Sequence, residues 1–327
     1  MSALRILPGL MVLLVGAVLA RGVGEVVGID HLLVAIALGF ALANGVDVPP
    51  ILDPGIATHE VWLGAGIVLM GASLTLDTVL AAGETVLLLV VLVTGSTVLA
   101  VELLSRTVFD PADRLGSLLA AGAGICGVSA VVAVAGAIRA EDTHIAYAAA
   151  TILLFDAITI VVYPVVGDVL DLSATVFGIW AGASMFSTGP VVAVGFAHSE
   201  TAGQWATLTK LSRNALIGVV VLVYASYYAR IDGADDPSVR TLWDEFPKFV
   251  LGFVALVVLA SAGVLSPAQR TSIEHGYNWL FLLAFVGLGT EIRVAELRTT
   301  GVRPAAVVLI ALLLASTLSL AVLLLLF

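Results

Sequence analysis

The chain alternates long apolar runs with short polar connectors. The runs are too long for strands and too uniformly apolar for helices with one wet face. Windows of about twenty apolar residues mark membrane-spanning helices. They predict nine full spans, at 6–20, 31–43, 59–76, 85–104, 145–166, 216–228, 249–264, 279–290 and 305–327. Polar residues concentrate between them, most heavily in the loop 230–245.

Two apolar stretches break this pattern. Residues 115–140 read LGSLLAAGAGICGVSAVVAVAGAIRA, with Gly122, Gly124, Cys126, Gly127 and Ser129 at the middle. Glycine weakens a helix and lets a backbone or ligand come close. A broken helix persists in lipid only where protein or a polar cavity satisfies its freed backbone groups. The pattern predicts two half-helices meeting at Gly-Ile-Cys-Gly, with inward N-termini suited to an anion. Sixty positions later AGASMFSTGPVVAVG repeats AGAGICGVSAVVAVA with seven of fifteen residues identical. This second element, 175–197, has Gly189 and Pro190 as breakers and Ser184, Ser187 and Thr188 as hydroxyls. The alternative is a pair of small-residue helix-packing faces.

A weaker repeat at a spacing of 218 sets Gly71 and Gly83 against Gly289 and Gly301. The expected fold class is therefore an all-α polytopic membrane protein, a single transporter domain over residues 1–327. It has about nine full transmembrane helices plus two broken or re-entrant elements, related as inverted repeats. The distribution of Arg5, Arg106, Arg114, Arg230, Arg293, Arg298 and Arg303 favours a cytoplasmic N-terminus in a multi-pass plasma-membrane protein.

Composition agrees and excludes other classes. The 327 residues are 60% hydrophobic and 12% charged, outside the range of soluble domains. A net charge of −10, carried by connector residues such as Asp110, Asp113, Glu141 and Asp235, gives nucleic acid no basic face. The first twenty residues resemble a signal peptide, but the many later spans make them the first membrane helix. Cys126 is the only cysteine, so no disulfide forms within the chain and no cysteine cluster holds metal. His31, His59, His144, His198 and His275 fall near span ends without metal-ligand spacing such as HExxH. There is no Walker A pattern and no Gly-x-Ser-x-Gly element, so neither an ATP-driven pump nor an enzyme is expected. No cofactor is expected beyond a coupling proton or sodium ion.

Three groups of residues carry candidate chemistry. Asp156 lies in the middle of a span, where a carboxylate is costly and marks a functional site by default. Proton carrier, sodium ligand, counter-ion to an arginine and protonated structural residue are all open roles. Lys210, Arg213 and Asn214 share one helix face in LTKLSRNALIG. They either face the interior, where they attract an anion, or snorkel to the membrane surface. Cys126 reads as a small lining residue.

GAGICGVSAVVAV resembles the Gly-x-Ser-Ile-Cys-Gly-x-Ser-Ala signature of the YeiH-type sulfate exporter family. GIVLMGASLTL, FGIWAGAS, VVAVG, KLSRN, FPKFVLGF, GLGTEI and GVRP agree in the same order, over about residues 63–304. The resemblance implies a superfamily shared with cation/proton antiporters and bile-acid-type sodium symporters. It also implies a core of inverted repeats with two broken elements, and by analogy a homodimer. Two departures matter. Gly124 stands where the family has its first serine, and Met185–Pro190 lacks the family's histidine and glutamine.

The function expected from the sequence is a secondary active exporter of a small anion, such as sulfate, a related oxyanion or an organic acid. Gly124, Cys126, Gly127, Ser129, Ser184, Ser187 and Thr188 would line its site near mid-membrane. Lys210, Arg213 and Asn214 would contribute to substrate binding, and Asp156 would carry the coupling ion. The alternative is a cation/proton antiporter that uses Asp156.

Overall fold

A computed structural model describes residues 3–46, 48–74, 76–108, 114–232, 247–297 and 301–326. Nearly all of the expected polar loop 230–245 lies outside them, as do Asp110, Asp113, Asp235 and Arg298. Among the described residues every regular element is a helix. In chain order these are α1 (Ala3–Val27), α2 (His31–Gly45), α3 (Asp53–Ile56), α4 (His59–Met70), α5 (Leu76–Val108), α6 (Leu115–Gly124), α7 (Val128–Ile138) and α8 (Asp142–Val169). There follow α9 (Ala174–Ser184), α10 (Thr188–His198), α11 (Glu200–Asn214), α12 (Ile217–Asp232), α13 (Phe249–Ser261), α14 (Pro267–Glu291), α15 (Val294–Leu297) and α16 (Val302–Leu326).

Among the described residues six stretches are long and apolar enough to cross a membrane: Arg5–Val27, Asp53–Ser73, Val86–Val108, Asp142–Val169, Glu200–Ile231 and Val302–Leu326. Shorter apolar helices include α2 and α13, of 15 and 13 residues. At 1.5 Å per residue each reaches only about 20 Å, less than the ~30 Å hydrocarbon core. Hydropathy alone makes α1 too short, because its tail carries Arg21 and Glu25, which pair as i and i+4 at 3.5 Å.

The chain divides into two compact units. The first comprises Met1–Glu84, Phe196–Glu200 and Lys248–Val294. Its centre is α14, which packs on α2 and α4. Glycines let these backbones approach: a Cβ on Gly39 would strike the Val286 carbonyl, and one on Gly289 the Ile36 carbonyl. A capping box of Ser266 and Gln269, with Pro267 in the first turn, starts α14. Tyr277, Phe281 and Phe285 form a ring ladder along it, joined by Phe196.

The second unit comprises Thr85–Gly195, Thr201–Pro247 and Ala295–Phe327. Here α6, α7 and α8 pack together, α9 lies on α16, and α12 lies on α7. Gly178 and Gly182, four residues apart on α9, face the carbonyls of Ala202 and Ala206 on α11. That contact fixes the face of α11 one turn further on, where Lys210 and Arg213 stand.

Candidate functional site

Both broken elements are helix–break–helix units in the same register. The first break is Ile125, Cys126 and Gly127; the second is Met185, Phe186 and Ser187, sixty positions on. Sequence reasoning placed the second break at Gly189 and Pro190, but these lie in the first turn of α10. Proline is tolerated there because a first-turn N–H needs no helical partner. Gly127 has φ 73° and ψ −139°, a conformation that glycine adopts readily. A Cβ at Gly127 would fall on Ser187 Oγ, so the two breaks meet at this pair.

The half-helix ends have opposite polarity and are treated differently. The last carbonyls of α6 and α9 point toward α11 and accept from its cations. Lys210 Nζ donates to Ile125 O at 2.7 Å, to Met185 O at 3.0 Å and to Phe186 O. Arg213 donates through Nε to Gly124 O at 2.7 Å and through one terminal nitrogen to Ala183 O at 2.9 Å and Met185 O at 2.8 Å. Its other terminal nitrogen donates to Ala123 O. Ala123 and Ala183, like Ile125 and Met185, are equivalent under the sixty-residue repeat, so the two cations serve both copies alike. Cations at helix C-termini satisfy orphan carbonyls and oppose the negative end of the macrodipole.

Lys210 and Arg213 are 0% exposed, which removes the snorkelling alternative. Among the described residues the buried charged side chains of this unit are Asp156, Lys210 and Arg213. All three hydrogens of the Lys210 ammonium have carbonyl partners, at Ile125, Met185 and Phe186.

The N-terminal ends are more open. Gly127 gives α7 no side-chain cap, and Ser129 in the first turn is exposed. Ser187 and Thr188, at the start of α10, are half-buried. The buried Asp156 carboxylate accepts the Ser187 N–H at 3.1 Å, and Asn214 donates to Thr188 Oγ1 at 3.0 Å. The structure thus brings Ser187, Thr188, Asp156 and Asn214 together at the second break.

Gly124, the last residue of α6, and Cys126, in the first break, are buried, and Gly124 approaches Val98 too closely for a side chain. Ser184 lies deeper: it donates to Trp180 O at 2.5 Å and accepts from Tyr163 Oη at 2.9 Å. Tyr163 stacks on Trp180 at 4.1 Å, and Trp180 Nε1 donates to Ser316 O at 3.1 Å. Sequence reasoning missed this pair; an aromatic in an apolar run carries no periodic signal. Tyr163→Phe is expected to lower the stability of the purified protein by about 1 kcal/mol, read as a lower melting temperature, because one buried hydrogen bond is lost.

The model of a family described as "Conserved hypothetical protein 698" matches residues 8–308. The chain belongs to that family. Its relatives include a UPF0324 membrane protein of Nitratidesulfovibrio vulgaris, 34% identical over 82% of this chain and 76% of the relative. Others are UPF0324 membrane proteins of Clostridium tetani, 30% identical over 81% and 82% of the two chains, and of Corynebacterium glutamicum, 30% identical over 91% and 86%. No solved structure matches. These relatives are named membrane proteins, and together with the apolar helices that supports a membrane location for this member of the conserved hypothetical protein 698 family. The 8–308 match includes both breaks and the α11 cations.

Proposed function

We propose that this protein is a secondary transporter of a small anion, bound where the starts of α7 and α10 meet over Gly127 and Ser187. One observation carries the reading. The negative ends of both broken helices are neutralised by buried Lys210 and Arg213, while the positive end of α7 is left uncapped beside exposed Ser129. Among the described residues of this unit, two buried cations against one buried carboxylate leave one formal positive charge, which an anion would balance. First-turn N–H groups and the hydroxyls of Ser129, Ser187 and Thr188 would hold its oxygens. The nine-span, inverted-repeat arrangement, the exporter direction and the homodimer belong to this proposal.

A thermal-shift series on detergent-purified protein tests it, with sulfate, sulfite, thiosulfate and carboxylates at constant ionic strength. A ligand that binds only the folded state adds about 2.7 kcal/mol at a hundredfold its Kd. One anion class is expected to raise the melting temperature, with the rise reduced in Ser129→Ala. No response to any anion would reject the reading.

The antiporter reading rests on Asp156 of α8, whose carboxylate accepts the Ser187 N–H just before α10. If it holds, stabilisation by sodium or by pH disappears in Asp156→Asn and no anion has an effect. If the anion reading holds, Asp156→Asn retains the anion response.

A further inference from the structure

The first unit holds a group of side chains that the transport reading does not use. His59 opens α4 and Glu60 follows it, while Glu291 closes α14, 232 positions later. One ligand atom from each, the imidazole nitrogen and two carboxylate oxygens, lies within 4.8 Å of the others. His59 is 6% exposed, Glu291 is half-buried and Glu60 is exposed, so the group has a buried floor and an open side.

The orientation of His59 is fixed from behind. Its Nδ1 lies 3.1 Å from the Ile56 carbonyl, which can only accept, so Nδ1 carries the hydrogen. Nε2 faces Glu291 Oε1 at 3.2 Å. With Nδ1 protonated, a neutral ring turns the Nε2 lone pair toward an acceptor, and Glu60 adds a second negative charge. Something positive must lie between them, either a proton on Nε2 or a metal ion. The setting favours the ion. A backbone carbonyl behind Nδ1 is the usual outer support of a metal-bound histidine, leaving Nε2 to coordinate. Glu291 sits at the C-terminal end of a 25-residue helix, where a carboxylate is disfavoured and a cation is favoured. An imidazolium at the first residue of α4 would oppose that helix's positive end.

We propose that His59, Glu60 and Glu291 form a binding site for one divalent transition-metal ion, of which zinc is the best match. One nitrogen and two oxygens are a zinc-type ligand set, and nitrogen argues against calcium and magnesium. Three protein ligands leave a fourth position on the open side for water. Zinc bonds of about 2.0–2.2 Å require the three atoms to draw in to roughly 3.5 Å apart. The exposed Glu60 side chain is free to make that adjustment.

The test is equilibrium dialysis of the chelator-treated full chain against zinc chloride, with bound metal counted by elemental analysis. About one zinc per chain is expected. Glu291→Gln and His59→Gln are each expected to weaken binding by at least ~10-fold, the lower bound seen when even an outer-shell partner is lost. Glu60→Gln alters an exposed side chain and keeps the test decisive if His59→Gln does not fold; it is also expected to weaken binding about 10-fold. His275→Ala, at an exposed histidine on α14, is expected to change nothing. No stoichiometric zinc, or zinc affinity in Glu60→Gln and Glu291→Gln unchanged from the parent protein, would overturn the proposal. So would stability that depends on pH and not on zinc, which would assign the positive charge at Nε2 to a proton.

Discussion

Arg213→Ala is expected to destabilise the protein by about 3–5 kcal/mol, the cost of breaking a buried charged network by removing one member. The side chain donates to Gly124, Ala183, Met185 and Ala123, so truncation leaves four buried carbonyls short of a donor. Lys210 covers only Met185 among these four. In detergent the melting temperature should fall on the order of 10 °C. Arg213→Lys should recover only part of the loss, because an ammonium has three donors on a single atom and cannot reproduce the fork. The capping role is separable from a substrate role. A residue that only bound substrate would, when removed, abolish the anion-dependent rise and leave the ligand-free melting temperature in place. A ligand-free melting temperature within about 1 °C of the parent protein would refute the capping assignment.

Gly127→Val is expected to have an effect of similar size for a different reason. The position has φ 73°, where a β-branched residue is strained by about 1–3 kcal/mol. A Cβ would also overlap Ser187 Oγ, and overpacking adds about 1–3 kcal/mol. The two parts can be separated. Ser187→Gly in the Gly127→Val background removes the collision but not the backbone strain, so it should restore part of the lost stability. A double-mutant cycle on melting temperature measures that coupling. Zero coupling would mean that the two breaks do not meet at this pair. Gly127→Ala should follow the same pattern with a smaller loss, since alanine lacks the branch.

Several features were readable because they follow from local chemistry. Twenty apolar residues in a row have no other stable place than a bilayer, so the class of protein was legible. Glycines clustered at 122, 124 and 127 cannot sustain a helix, and α6 does end at Gly124 and α7 begin at Val128. The sixty-residue repeat carried the register of the second break, although it did not say whether Gly189 or Ser187 sits at the gap. Helix ends were less legible. Short windows cannot see that Arg21 and Glu25 pair across one turn and let α1 run on to Val27.

Hydropathy and residue pattern alone point to an all-helical membrane chain with two interrupted helices, a carboxylate in the middle of an apolar run at Asp156, and a basic face on α11. Periodicity and hydropathy depend only on neighbours along the chain, and those suffice for such features. What the basic face does follows from the packing of the helices. Whether Lys210 and Arg213 snorkel or turn inward depends on acceptors 24 to 90 residues away, and those acceptors are backbone carbonyls, which every residue has and no composition reveals. The same holds for His59 and Glu291. Each is an ordinary residue at a span end until α14 brings its last turn against the first turn of α4. A hydrogen bond or a metal site needs partners within a few ångströms in space, and separation along the chain carries no information about that distance.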